Sequence, residues 1–343
     1  MAENTKIHFE VRRLRLKQTW TIARGSSDYR DNVFVTLERN GVIGYGEAAP
    51  NPRYGESADT VVQFLKKAVP VLEKNDWLHL VDVNAAISGL ESGNFSAKAA
   101  IDIALLDWFC KSHAIPLYQH LGLDPLKTAV TFYSIGIDSP HKIKEKVQQA
   151  RDFPILKIKA GLENDEEVIA AVRSVTDKPI CIDANEGWRD KHVALEKLQW
   201  LQGQNVEFVE QPMHADQLSD IAWLRERAEL PIIADESVIR ANDIPNLARA
   251  FDGINIKLMK AGGIQETLRM IWLAKSLDMK IMLGCMIESS VAVSAAAQLS
   301  PLVDYADLDG NLLIDNDPFS GVTVEQGKLI LPQEPGIGAT PND

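Results

Sequence analysis

Two rhythms of apolar and polar positions divide the chain. From residue 6 to 50 they alternate, with Ile7, Phe9 and Val11 on one run and Val33, Val35 and Leu37 on a later one, and Arg39-Asn40-Gly41 lies between two such runs. A period of two broken at a glycine turn predicts an antiparallel meander. Apolar residues then recur at helical spacing from Ser57 to about Glu73 and from Ser96 to His113, with Ser96 placed as an N-cap before Ala99, Ala100, Ile103 and Leu106. Strands followed by helices make a separate α+β unit. The turn-rich stretch Leu121 to Lys127, with Gly122 and Pro125, ends it. From Ala129 short apolar runs at 129–135, 155–160, 180–184, 206–210, 231–235, 254–258, 280–284 and 303–308 alternate with seven helical stretches; Ile264, Leu268, Ile271 and Ala274 show the helical spacing. The runs are continuously apolar, as strands covered on both faces are. Eight such units predict a parallel barrel of the TIM type, with a doubly wound open sheet as the alternative.

Charge and composition narrow the function classes. The 343 residues carry 36 Lys+Arg against 48 Asp+Glu, a net charge of −12. That balance repels phosphate backbones and sets nucleic acid aside as a partner. The opening MAENTKIHFE is charged where a signal peptide needs its apolar core, and no run approaches a membrane span, so no membrane partner is expected. Cys110, Cys181 and Cys285 lie far apart and form no C-x-x-C pair, which fits a reducing cytoplasm.

The chemistry is concentrated where the predicted strands end, the face on which barrel enzymes assemble their sites. Five successive runs finish on an ionisable residue: Lys159 in ILKIKAG, Asp183 in ICIDANEGW, Glu210 in EFVEQP, Asp235 in IIADES and Lys257 in INIKLMKAGG. The steps of 24, 27, 25 and 22 residues are one βα unit each, so all five groups reach one mouth. Three carboxylates without histidine form an oxygen site suited to Mg²⁺ rather than zinc. Lys159 and Lys257 flank the trio from either side. The period of two puts Lys157 on the inward face with Lys159, where like charges are expected to depress one another's pKa towards that of a general base. A metal-held carboxylate with a lysine on each face of the adjacent carbon suits 1,1-proton transfer through an enediolate.

The order Lys157-x-Lys159, Asp183-Ala184-Asn185, Glu210-Gln211-Pro212, Asp235-Glu236-Ser237 and Asn255-Ile256-Lys257 resembles the enolase superfamily, in its muconate-lactonizing-enzyme-like subgroup, over nearly the whole chain. The resemblance implies an α/β fold, a modified TIM barrel (β/α)₇β at 126–314, with an N-terminal α+β capping domain at 1–125 completed by about 315–343. It also implies one Mg²⁺ per subunit on Asp183, Glu210 and Asp235, with Lys159 and Lys257 as the acid/base pair.

The last two strand ends, Gly284-Cys285-Met286-Ile287-Glu288-Ser289 and Asp307-Leu308-Asp309, are similar to those of dipeptide epimerases such as the L-Ala-D/L-Glu type. Asp307 and Asp309 share a face by strand alternation and can hold a dipeptide's ammonium. Selectivity is expected from loops around Trp20 to Arg30 and Asn51 to Glu56, where Arg24 and Arg30 are the available cations. Arg24 resembles the loop arginine of Ala-Glu epimerases, and equally could pair with a loop carboxylate. Ser134 and Met286 are further candidate substrate contacts. The reading is therefore an isomerase acting on small-molecule dipeptides. The alternatives are an o-succinylbenzoate synthase, an N-acylamino acid racemase, a cycloisomerase or a non-catalytic barrel. A homo-oligomer would be ordinary for such an enzyme. Gly44-Tyr45-Gly46-Glu47-Ala48-Ala49 matches G-x-G-x-x-A, yet Pro50 and Pro52 follow where a dinucleotide-binding helix would start, so a hairpin end is expected there.

Overall fold

The computed structural model describes residues 5–342. Strands β1 (Thr5–Ile22), β2 (Gly25–Arg39) and β3 (Val42–Ala48) pair antiparallel in that order, forming the meander that the alternation predicts. The segment from Trp20 to Arg30, expected as a loop, is the paired end of the β1–β2 hairpin, with Trp20 opposite Ser27 and Ile22 opposite Gly25. Its backbone amides find partners across the hairpin and so need no loop.

Helices α1 (Ala58–Lys74), α2 (Leu80–Ser88) and α3 (Phe95–Ser112) follow. In α1, a Ser57–Thr60 capping box starts the helix, and Val61, Phe64, Leu65, Ala68 and Leu72 bury one stripe. Helix α3 is buried almost all round because β3 packs on one side and the barrel on the other. A Cβ at Gly44 or Gly46 would stand 2.1 or 1.9 Å from a carbonyl oxygen of α3, so only glycine lets strand and helix approach this closely. Gly44-Tyr45-Gly46 therefore lies inside β3 rather than at a hairpin end. Ser96 is not the N-cap: α3 begins at Phe95 after Asn94, and Ser96 Oγ donates to Glu56 instead. The Glu56 carboxylate, arriving from 40 residues earlier, also accepts from the Phe95 and Ser96 amides and does the capping.

Eight later strands are parallel and neighbour one another in chain order: β4 (Tyr133–Ile135), β5 (Leu156–Lys159), β6 (Ile180–Asp183), β7 (Val206–Glu210), β8 (Ile232–Ala234), β9 (Gly253–Lys257), β10 (Lys280–Gly284) and β11 (Tyr305–Asp307). A bridge between Thr131 and Ala306, with the Phe132 amide donating to the Ala306 carbonyl at 2.9 Å, joins the last strand to the first. The sheet is thus a barrel and not an open sheet. Phe132, Cys181, Phe208, Ile233 and Met282 fill its interior at one level, with Ile155 and Tyr305 packed against them.

The two halves are tied together at helix N-termini, where unpaired amides invite a carboxylate. Asp102 of α3 accepts from the amides of Ile264 and Gln265, opening the helix Ile264–Ser276, whose own N-cap is a glycine. Glu47 of β3 accepts from Ser289, through both its amide and its hydroxyl, and from the Ala292 amide at the start of Ser290–Ala297. The C-terminal segment returns to the meander, where Phe319 stacks on Phe34 with centroids 5.8 Å apart, and to α3, where the Ile337 amide donates to Asp107. Among the described residues no helix is long and apolar enough to cross a membrane.

Candidate active site

Asp183 and Glu210 are the last residues of β6 and β7, and Asp235 follows β8 directly. All three are buried, and one oxygen from each falls within 4.8 Å of the others. Lysines surround them. Lys157 Nζ lies 2.7 Å from Glu210 Oε2, 3.1 Å from Asp183 Oδ2 and 2.7 Å from Asp307 Oδ2. Lys159 pairs with Asp183, Lys257 with Asp235 at 2.8 Å, and Lys260 with the other oxygen of Asp235. Asn255 Nδ2 donates to Glu210 Oε1 at 2.7 Å.

These pairings set the protonation states. Burial pushes Asp183 up, but Lys157 and Lys159 outweigh it and hold the carboxyl below its ordinary range. Asp235 behaves likewise under Lys257 and Lys260. Glu210 goes the other way, pushed up to about 8 by burial and by Asp183. The expectation that neighbouring lysines depress one another fails at Lys157. Burial lowers its pKa, but Asp183, Asp307 and Glu210 raise it well above the usual value, making it a fixed cation. A base needs a reachable neutral form, and Lys157 is held out of that state.

Three buried carboxylates converging through oxygen alone fit a hard divalent cation. The backbone just beyond the trio is unusual. Asn185, Glu186 and Gln211 adopt positive φ of 45°, 66° and 35°. Gly161, at φ 100°, leaves no room for a side chain, since a Cβ there would sit 2.2 Å from the Ala184 carbonyl beside Asp183.

Above the trio opens a cleft of about 780 Å³, its mouth included, lined by Lys159, Asp235, Lys257, Ser134, Asp307 and Asp309 from the barrel and by Trp20, Arg24, Arg30 and Tyr54 from the other half. Cys285 and Met286 line it too, whereas Lys157, Asp183 and Glu210 lie outside its lining. Ser134 Oγ donates to Asp307 Oδ1 at 3.1 Å and its amide donates to Asp309 Oδ2 at 2.7 Å. Burial and Asp307 push Asp309 up to about 7. Both aspartates face the cleft, but not by strand alternation: β11 ends at Asp307, and Asp309 is held by the turn beyond it. Arg24 is engaged, with Nη1 2.6 Å from Glu236 Oε1, 3.0 Å from the Asn185 carbonyl and 3.4 Å from Glu186 Oε2. Burial and Glu288 push the Cys285 thiol up, the opposite of an activated nucleophile.

Two residues that strand-end reasoning passed over stand close to this chemistry. Lys260 occupies the turn after Lys257, and its signal was the i, i+3 spacing within INIKLMKAGG. Tyr54, half-buried in the turn after Pro52, reaches the cleft near Asp235, and no periodic pattern marks it.

This chain belongs to the mandelate racemase and muconate lactonizing enzyme family of the enolase superfamily: residues 6–122 match the mandelate racemase / muconate lactonizing enzyme N-terminal domain, and residues 142–343 match the enolase C-terminal domain-like family. It is 46% identical over 334 residues to an L-Ala-D/L-Glu epimerase of Bacteroides thetaiotaomicron, covering 97% of this chain and 87% of that protein. An L-Ala-D/L-amino acid epimerase of Pedosphaera parvula is 41% identical over 338 residues, covering 96% and 97% of the two chains. Among solved structures, the dipeptide epimerase of Cytophaga hutchinsonii complexed with Mg and D-Ala-L-Val superposes with a TM-score of 0.94 at 31% identity, covering 100% of this chain and 97% of that one.

Proposed function

We propose that this protein is a magnesium-dependent dipeptide epimerase that inverts the α-carbon of the C-terminal residue of L-Ala-L-Xaa-type dipeptides. The observation that carries the reading is the joining of Asp307 and Asp309, bridged by Ser134, with Lys159 and Lys257 in one cleft. Asp183, Glu210 and Asp235 would hold one Mg²⁺, which would supply Lewis-acid charge against the negative charge that grows as the α-proton leaves. Lys159, on β5, and Lys257, on β9, stand on opposite sides of the trio, so one takes the α-proton from one face and the other returns a proton to the opposite face. No electron is gained or lost, and the carbon is inverted. Lys157, always charged, braces Asp183, Glu210 and Asp307 and favours negative charge building beside it.

Asp307 and Asp309 receive the substrate ammonium, for which two buried carboxylates are a fitting partner. Ser134 sets their orientation, Met286 supplies an apolar contact, and Arg24 stands at the lip with its charge shared with Glu236. An N-acylamino acid has no ammonium to offer these aspartates. We assign residues 1–125, completed by about 315–343, as the capping domain that shapes the cleft, and 126–314 as the catalytic barrel. Three free thiols suit a reducing cytoplasm, and assembly into homo-oligomers is expected.

The test is mass spectrometry of L-Ala-L-Xaa and L-Xaa-L-Glu libraries incubated with the protein and Mg²⁺ in D₂O. Each inversion installs one deuteron, so a gain of about one mass unit, lost when EDTA removes the metal, is expected. No gain in any dipeptide by protein that binds Mg²⁺ overturns the assignment.

A further inference from the structure

Each carboxylate of the trio has one oxygen tied down from behind. Asp183 Oδ1 accepts from the Asn185 amide at 3.0 Å, Glu210 Oε1 from Asn255 Nδ2 at 2.7 Å, and Asp235 Oδ1 from Lys260 Nζ. These donors are fixed. The Asn185 amide is backbone, two residues past the aspartate it binds, in the local turn that an aspartate side chain makes. Asn255 is fully buried on β9, and Gly284 of β10 leaves it room: a Cβ there would stand 2.6 Å from Asn255 Oδ1. Lys260 Nζ has three donors and all are engaged, on Asp235 Oδ1 and on the carbonyls of Asp235 at 2.5 Å and Asn255 at 3.1 Å.

The second oxygens meet a different set of groups. Asp183 Oδ2 lies against Lys159 and Lys157, and Asp235 Oδ2 against Lys257 at 2.8 Å. Glu210 Oε2 has Lys157 2.7 Å away yet accepts no hydrogen bond among the described residues. Lys159 and Lys257 line the cleft, whereas Asn255 and Lys260 lie outside its lining. A cation held by the trio is thus offered one oxygen from each residue rather than two. That count separates the hard cations. Mg²⁺ takes a compact octahedron and keeps several positions for water or substrate oxygens, while Ca²⁺ is larger, takes about six to eight oxygens and gains from carboxylates that give both of theirs.

We propose that Asn255 and Lys260 are positioning residues that hold Glu210 and Asp235 to one oxygen each, as the Asn185 amide holds Asp183, and so set the site to Mg²⁺ against Ca²⁺. This rests on the metal reading above. Each side chain acts through the carboxylate it holds. Asn255 does so without charge and Lys260 with one, so the pair separates an effect of geometry from an effect of charge.

The experiment titrates metal-stripped protein with Mg²⁺ alone and with Ca²⁺ alone by isothermal calorimetry, in the wild type, Asn255→Ala and Lys260→Met. Asn255→Ala frees the second oxygen of Glu210 at constant charge, and its Kd for Ca²⁺ relative to that for Mg²⁺ is expected to fall by about tenfold or more, the scale on which partners of metal ligands tune affinity. Lys260→Met should tighten both ions, because a buried positive charge is gone, and tighten Ca²⁺ the more by about the same factor. A role confined to charge moves the two ions together in Lys260→Met and neither in Asn255→Ala. A role confined to supporting the fold weakens both ions together. An unchanged Ca²⁺-to-Mg²⁺ ratio in either variant that circular dichroism shows to be folded overturns the proposal, and Asn255→Ala, which removes only a small neutral group, keeps the test open if Lys260→Met does not fold. Failure of the metal reading looks different: the wild type would then bind neither ion in a one-to-one complex.

Discussion

Two residues of climb separate the barrel's most apolar level from its most charged one. Cys181, Phe208, Ile233 and Tyr305 are each followed, two positions on, by Asp183, Glu210, Asp235 and Asp307, while Ile155 precedes Lys157 and Phe132 precedes Ser134. The period of two keeps both members of each pair facing inward. The lower level is held by contact between side chains that would each pack with almost any apolar neighbour. The upper level is held by charges that are tolerable only in one another's company, so it depends on the lower one for position and repays little stability. Function and folding are thus carried by adjacent layers of the same strands.

That contrast can be broken at either level. The largest effect is expected from Lys257→Ala, which should lower epimerisation by about 10³-fold or more, as loss of a positioned acid/base group does, while circular dichroism and Mg²⁺ binding stay near wild type because Lys260 still balances Asp235. Phe208→Ala attacks the layer beneath. It should cost about 3–5 kcal/mol in urea unfolding, with kcat of the remaining folded protein changed far less than in Lys257→Ala.

Asp309→Asn comes next, with kcat/KM for dipeptides down roughly 10- to 100-fold at pH 8 through the loss of a charged hydrogen-bond acceptor. Its stability effect has the opposite sign. Asp309 is raised from 3.8 to about 7, so between those values the folded protein holds a proton that the unfolded chain has released, and stability falls as pH rises through this window. The asparagine variant should lack that fall and unfold at higher urea than wild type at pH 8. Such a result would sharpen the contrast by showing a functional group that weakens the fold. The smallest change belongs to Cys285→Ala: a thiol pushed up by burial does no chemistry, and kcat/KM should move by less than about threefold.

The fold and the strand-end chemistry were legible because both repeat. Each βα unit returns a residue to the same mouth, and an ionisable side chain closing an apolar run is rare enough to stand out five times. What was hidden depends on partners far away in the chain. Ser96 looks like a cap until Glu56 is brought to its amide, and Gly44 and Gly46 look like a turn until α3 lies on them. Lys157 and Lys159 look like two charges in conflict, but the neighbours that decide Lys157 arrive from β6, β7 and β11. Arg24 and Arg30 look equivalent in sequence, and only the fold brings Glu236 and Glu186 to the first of them. Sequence spacing reports which residues share a face and leaves unsaid which of them is already taken.

Glu47 and Asp102 reach across from one half of the molecule to cap helices that begin just past β9 and β10. These links bolt the two halves into a frame at the points nearest the chemistry. The end of the β1–β2 hairpin, paired to itself over Trp20 to Ser27, lies outside those bolts and meets the barrel through Arg24, which donates to Glu236 and the Asn185 carbonyl, and through the Thr21 carbonyl, which accepts from the Ile137 amide. The wall of the cleft and the floor beneath it are therefore supplied in part by separate pieces of the chain, and an exchange at Trp20, Arg24 or Arg30 alters that wall while every barrel strand end keeps its residue.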